Sequence, residues 1–131
     1  MKHHINTIIA AAIAVLSFSV FAHGELVSKH GGQVSKHGGQ VVEISDIQFE
    51  IVAKPDQILI YVTDHGKVID IKGATAKLTL LSGKQKTEVP MVHTGDNKLE
   101  ARGAFTIGKG VKAVALVTVG GKTTSVRWTL K

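Results

Sequence analysis

The sequence predicts an all-β domain, for which an immunoglobulin-like antiparallel sandwich of about seven strands is the expected architecture and a small β-barrel the alternative. Apolar and polar residues alternate with period two over short runs, which is typical of half-buried strands. Residues that form tight turns separate these runs at a spacing of roughly 8–12 residues. Beyond the N-terminal segment, no stretch of about 12 residues carries the 3.6-residue apolar stripe of a helix.

The alternating runs follow one another along residues 41–131, which we take as the domain. Their apolar members are Ile47, Phe49 and Ile51; Ile58, Ile60 and Val62; Leu78 and Leu80; Leu99 and Ala101; Val114 and Leu116; and Val126, Trp128 and Leu130. Segments 64–67, 82–84, 94–97, 108–110 and 120–121 supply the Gly, Asn or Asp residues that tight turns require. Trp128 belongs to an alternating apolar set and is therefore predicted to lie in the core.

Residues 1–22 have the pattern of a cleavable signal peptide. Lys2 precedes an apolar run at 7–16, and Val20 and Ala22 occupy the small-residue positions before the expected cleavage site. The run is shorter than the roughly 20 apolar residues that a transmembrane helix needs. We therefore expect export to a bacterial periplasm and no membrane span in the mature form.

Composition limits the chemistry. The sequence contains no cysteine, which excludes disulfides, thiolate metal sites and c-type haem attachment. It contains two methionines, of which Met1 would leave with the signal, so thioether sites for Cu(I) are disfavoured. The formal net charge is +6, but the basic residues are scattered along the chain, so no nucleic-acid partner is predicted.

Residues 23–40 are rich in Gly, Ser, Lys and His and are predicted to form a flexible arm. Within this arm the heptapeptide SKHGGQV occurs twice in tandem, at 28–34 and at 35–41. The repeat has two interpretations. It is either replication slippage in a tolerant linker or the duplication of a ligand-bearing unit, because each copy adds one histidine.

The histidines predict a divalent transition-metal site. Imidazole binds Cu²⁺, Zn²⁺ and Ni²⁺, and ligands in a Gly-rich chain can converge by looping. After cleavage at Ala22, His23 would present its α-amine beside its imidazole, which favours Cu²⁺ over Zn²⁺ or Ni²⁺. Because the neutral imidazole binds the metal, affinity should weaken below a pH of about 6.5. The candidate ligands are His23, His30, His37, His65 and His93.

Two of these histidines lie within the domain. His65 is in the turn 64–67, where it is either a ligand, with Asp64 as a co-ligand, or a turn residue that tolerates the local backbone geometry. His93 precedes the turn 94–97. If both turns lie at the same end of the domain, the two histidines could complete a site with the arm.

Several segments resemble a little-characterised group of small periplasmic β-sandwich proteins associated with heavy-metal efflux systems. These segments are HGGQVVE at 37–43, FEIVAKP at 49–55, YVTDHGK at 61–67, LLSGK at 80–84 and NKLEA at 97–101. The overall plan is also similar to the CopC-like periplasmic copper carriers, whose mature N-terminal histidine binds Cu²⁺. Only His23 matches that family's copper ligands. The resemblance implies a role in metal homeostasis or resistance, with an efflux component as partner.

The expected function is therefore a periplasmic buffer or carrier for a divalent transition metal. The alternative is an interaction or assembly module that needs no metal, since an immunoglobulin-like fold does not determine function. An enzyme is not predicted, because the sequence contains no nucleophile elbow or comparable catalytic motif.

Overall fold

The computed structural model describes residues 34–131, and the regular structure in this range is entirely β-strand. The strands are β1 (Gln40–Ile44), β2 (Ile47–Ala53), β3 (Gln57–Asp64), β4 (Lys67–Val68), β5 (Thr75–Ser82), β6 (Gln85–Gly95), β7 (Lys98–Arg102), β8 (Lys112–Val119) and β9 (Lys122–Thr129). The prediction of an all-β domain is confirmed.

The strands form one antiparallel sheet rather than two stacked sheets. Its order is β1-β2-β3-β7-β6-β5-β8-β9, and β4 pairs with the end of β3. The sheet curls until its first and last strands meet. There the side-chain amide of Gln40 donates to the carbonyl oxygen of Thr129 at 2.9 Å and accepts from the amide of Lys131 at 3.0 Å. The described chain is thus a nearly closed, barrel-like sheet of nine strands, which is nearer to the barrel alternative than to the expected seven-strand sandwich.

Tight turns determine which residues pair in the hairpins. Ser45 and Asp46 between β1 and β2 both have positive φ, at 50° and 68°, and His65 and Gly66 between β3 and β4 have φ of 48° and 77°. Two consecutive residues with positive φ match the right-handed twist of the flanking strands. Both turns lie at the same end of the sheet, where the amide of His65 donates to the carbonyl oxygen of Asp46 at 3.2 Å.

The core lies inside the curled sheet and contains the inward members of the alternating strands. Ile58, Ile60, Leu78 and Leu99 are fully buried, and Trp128 is only 4% exposed, as predicted. In β8, which is apolar on both faces, the inward set is Ala113, Ala115 and Val117, whereas Leu116 points outward and is 46% exposed. The reason is register, because Ala115 lies opposite Leu78 on one neighbour and Val126 on the other.

Two connections cover the two ends of the curled sheet. Ile71, between β4 and β5, is buried, and its amide donates to the carbonyl oxygen of Asp96. At the other end, Phe105, between β7 and β8, is buried, and its amide donates to the carbonyl oxygen of Pro55 at 2.7 Å. Each connection therefore contributes an apolar side chain to the core, which lets a small domain enclose its interior without disulfides.

The expected signal peptide at 1–22 and the arm residues 23–33 lie outside the described residues. Within 34–131 there is no helix with the length and apolarity that crossing a bilayer would require.

Candidate functional site

The second copy of the heptapeptide packs against the outer face of strands β2 and β3. Residues 35–39 surround the carboxylate of Glu50, which is 6% exposed although it points away from the core. This carboxylate accepts from the hydroxyl of Ser35 at 2.6 Å, from the amides of Lys36, His37 and Gly39 at 3.2, 2.9 and 2.9 Å, and interacts with the imidazole of His37. The carboxylate of Glu50 therefore hydrogen-bonds most residues of the segment 35–39.

These contacts change the ionisation of Glu50. Burial alone would raise the pKa of this carboxyl, because it disfavours the charged form. The hydrogen bonds from Ser35, from the His37 ring and from the amides of Gly39 and His37 favour the charged form and together outweigh burial. The pKa of Glu50 is consequently lowered to about 2, so the carboxylate is ionised throughout the physiological range.

The ring of His37 contacts both a carboxylate and an aromatic side chain. Its Nδ1 lies 2.9 Å from Oε2 of Glu50, and its ring stacks on Tyr61 with centroids 3.5 Å apart and planes 4° from parallel. The side chain remains 37% exposed. Because an ionised carboxylate only accepts hydrogen bonds, a neutral His37 donates from Nδ1 and presents the lone pair of Nε2. Nε2 makes no hydrogen bond to any residue in the 34–131 range.

Gly39 allows the segment to approach β2 this closely. A Cβ atom at this position would overlap the carbonyl group of Ile51, which is backbone and cannot move aside as the end of a flexible side chain could, and it would also press on Cγ of Glu50. The amide of Gly39 also reaches Oε1 of Glu50. The glycine is therefore required by a backbone-to-backbone approach, and β1 follows it directly at Gln40.

His65 lies at an exposed turn between two carboxylates. Its Nδ1 hydrogen-bonds Asp64, and its Nε2 is 3.7 Å from Oδ2 of Asp46. The hydrogen bond to Asp64 raises the pKa of His65, and the negative charges of Asp64, Asp46 and Glu43 add to that effect. The two carboxylates meet opposite sides of the ring, so they form ion pairs with His65 rather than a shared ligand set.

His93 lies elsewhere. It ends the regular part of β6, next to a register shift between His93 and Gly95, and its Nε2 is 2.9 Å from the carbonyl oxygen of Asp96. His93 is opposite Leu99, and Leu99 is opposite Ile60, five residues before His65. Two strand spacings and five residues of rise separate the two histidines by on the order of 15 Å or more.

The structure therefore does not assemble the candidate ligands of the domain into one cluster. No group of three His, Asp or Glu side chains in residues 34–131 is placed to hold a metal ion. His23 and His30 lie outside the described residues, so their expected part in a site stays a prediction. Of the three candidate histidines in residues 34–131, His37 is the one whose ring contacts both a carboxylate and a stacked aromatic ring while its Nε2 has no described partner.

Sequence reasoning missed Glu50 and Tyr61. Both occur in strands that were predicted, but nothing in the local pattern marks them as partners of a repeat unit. The available signal is the alternation itself, which places Glu50 on the face opposite Phe49 and Ile51. Which side chain lies beside Glu50 depends on the register between β2 and β3. That register places Glu50 directly opposite Tyr61.

Comparisons with known proteins add no relative: no family model matches the chain, and no match is found among curated proteins or solved structures.

Proposed function

We propose that the chain is an exported protein that binds a divalent transition metal, Cu²⁺ in preference to Zn²⁺ or Ni²⁺, and acts as a periplasmic buffer or carrier. The observation that carries this proposal is the oriented imidazole of His37, with Nδ1 on the carboxylate of Glu50 and Nε2 unpartnered among the described residues. The carrier role and an efflux component as partner follow the resemblance to proteins associated with heavy-metal efflux.

The carboxylate–histidine pair supports metal binding on chemical grounds. Histidines that bind metals usually donate their second ring N–H to a carboxylate, which fixes the tautomer and raises the basicity of the ligating nitrogen. Because the pKa of Glu50 is about 2, its carboxylate is ionised at neutral pH and can accept this hydrogen bond. The stack on Tyr61 fixes the plane of the ring. Both contacts reduce the entropy that His37 would lose on binding a metal.

The remaining ligands would come from the residues that precede the docked repeat. His30 is seven residues before His37, and His23 would contribute its imidazole and α-amine after cleavage at Ala22. Closing a short loop between such ligands costs little entropy. Nitrogen ligands of this kind suit the tetragonal geometry of Cu²⁺. In this proposal His37 is the ligand whose ring is already oriented, and His30 and His23 supply the other nitrogen ligands.

The test is calorimetric titration of the exported protein with Cu²⁺, Zn²⁺ and Ni²⁺ at neutral pH, with its N-terminus determined by mass spectrometry. The repeat provides matched variants, because His30→Ala and His37→Ala remove the same residue from identical heptapeptides. We expect His37→Ala and Glu50→Gln each to weaken Cu²⁺ binding by about 10-fold to 100-fold. Far-UV circular dichroism of each variant checks that the sheet is intact.

His65→Ala and His93→Ala complete the design. If either of these variants loses affinity while His37→Ala binds as the unchanged protein does, the ligands lie in the domain turns and the His37 site is wrong. If no variant changes the affinity and binding is weak for every metal, the metal-binding function itself is wrong.

A second candidate is an interaction module that works without metal. The favouring observation is that residues 85–91 of β6 pair with β5 on one side, while the pairing of β6 with β7 begins only at Val92. Pro90 lies in this stretch and is paired with Lys77. A free strand edge is a common template for pairing with another chain. A stable complex with an envelope protein that forms equally well in excess chelator would favour this candidate.

A further inference from the structure

The first and last strands separate at one end of the sheet and leave an apolar cleft between the β1–β2 and β8–β9 hairpins. Gln40 joins the strands at the opposite end, but β1 pairs only with β2 and β9 only with β8 among the described strands. The opening has a volume of about 510 Å³. Its size lies within the range of pockets that hold small organic ligands, which often occur at the mouths of β-barrels.

The walls of this cleft are apolar and reach the core. Phe49, Val62 and Val117, each at most 3% exposed, form its deepest part. Half-buried aliphatic side chains surround them nearer the surface: Ile44, Ile47, Ile69 and Val119. An apolar chain inserted here would exchange water for aliphatic and aromatic contacts over most of its length.

The rim of the cleft is polar and carries a positive charge. Ser45, Thr123 and Ser125 provide hydroxyls, and Lys122 is the ionisable residue of the lining. Lys122 is exposed and forms no salt bridge with any residue of the described chain. A cationic rim above an apolar wall is complementary to a ligand that has an anionic head and an apolar tail.

We propose that this cleft binds an amphiphile with an anionic head group and a single alkyl chain on the order of ten carbons long, such as a medium-chain fatty acid. The alkyl chain lies between the half-buried Ile44, Ile47, Ile69 and Val119, above Phe49, Val62 and Val117, and the head group lies at the rim beside Lys122. The cleft is on the inner face of β2 and β3, whereas the His37–Glu50 pair is on their outer face, so the proposal does not depend on the proposed metal function.

The test is calorimetric titration of the exported protein with octanoate, decanoate and laurate below their micelle concentrations. Affinity should rise up to about fourfold per added methylene until the cleft is filled. Lys122→Glu should weaken laurate binding about two- to fivefold and should strengthen binding of the cationic probe dodecyltrimethylammonium. Lys84→Glu, which makes the same charge change in the β5–β6 turn at the other end of the sheet, should change neither affinity.

A second variant tests the position of the alkyl chain. Val119→Trp places a large side chain at the half-buried wall and should reduce laurate affinity at least tenfold. Val92→Trp, at a 58% exposed position of β6, is its control. The proposal is wrong if laurate fails to bind, or if Val119→Trp and Val92→Trp bind it equally.

Two further outcomes would also overturn the proposal that the cleft binds a fatty acid. One is capture by phosphatidylglycerol vesicles without binding of free laurate, which would indicate a surface interaction of a basic protein. The other is a dimer, detected by light scattering, that Val119→Trp disrupts while laurate does not bind. The cleft would then be an interface between two copies of the chain.

Discussion

Glu50 and Tyr61 lie directly opposite each other on β2 and β3, and this register lets the single imidazole of His37 contact both of them. Residues directly opposite on one face of an antiparallel pair have their side chains side by side. The carboxylate of Glu50 hydrogen-bonds Nδ1 of the imidazole, and the ring of Tyr61 stacks on its face. A residue from the repeat thus becomes part of the outer surface of the sheet.

Replacing Glu50 by Gln should therefore destabilise the domain. An amide in place of the carboxylate loses the charge and one acceptor oxygen, while the donors from Ser35 to Gly39 remain. We expect the free energy of unfolding to fall by about 2 kcal/mol, measured by urea denaturation. Glu43→Gln is the matched control, since Glu43 accepts a single bond from Gln48, and it should cost less than about 0.5 kcal/mol.

The contribution of Glu50 should depend on pH with a defined sign. Its pKa in the folded chain is about 2, below the ordinary value of 4.5, so the folded state favours the ionised form. This stabilisation is complete above pH 4.5 and is lost as the pH falls towards 2. The difference in unfolding free energy between the unchanged protein and Glu50→Gln should follow that curve in urea titrations. A difference that stays constant down to pH 2 would contradict the hydrogen-bonded carboxylate.

The sequence predicted the strands well because period-two alternation reports directly which side chains face a core. It could not predict that the sheet would curl into one nearly closed layer, because alternation is the same for a sandwich and a barrel. The closure depends on contacts such as Gln40 with Thr129, which are 89 residues apart. The two heptapeptides are identical, so only their distance from β1 distinguishes the copy that meets Glu50. His37 was predicted as a candidate ligand, but its partners depend on strand register.

The repeat offers a matched test of the close approach at Gly39. Gly39→Ala places a methyl group against the carbonyl group of Ile51, so the segment must move away from β2. We expect a loss of about 1–3 kcal/mol in unfolding free energy, and altered amide chemical shifts for Ser35, His37 and Tyr61. Gly32→Ala makes the same change in the first copy and should cost less. If both variants lose the same unfolding free energy, the close approach of Gly39 to Ile51 is not the cause of the loss.

Gln40 should contribute to closure of the sheet, because its side chain hydrogen-bonds Thr129 at the end of the last strand and Lys131 just beyond it. Gln40→Ala removes the bond to Thr129 and the bond from Lys131. Both are exposed, so we expect a cost of about 1 kcal/mol in urea denaturation. Hydrogen exchange should accelerate at the Lys131 amide, whose acceptor is lost. The control is Gln33→Ala, the equivalent change in the first heptapeptide, and similar exchange in the two variants would contradict this role.

His65 should titrate above the ordinary histidine pKa of 6.5, because it hydrogen-bonds Asp64 and lies near the charges of Asp64 and Asp46. A raised pKa means that the folded chain favours the protonated ring. The stabilisation from this group is therefore complete below pH 6.5 and is lost as the pH rises through the folded value. Asp64→Asn should lower the pKa of His65 in an NMR titration, whereas Asp56→Asn, in the turn at the opposite end of the sheet, should leave it unchanged. If Asp64→Asn leaves the titration of His65 where it was, the ion pair does not form in solution, and His65 is simply a residue that tolerates positive φ in a tight turn.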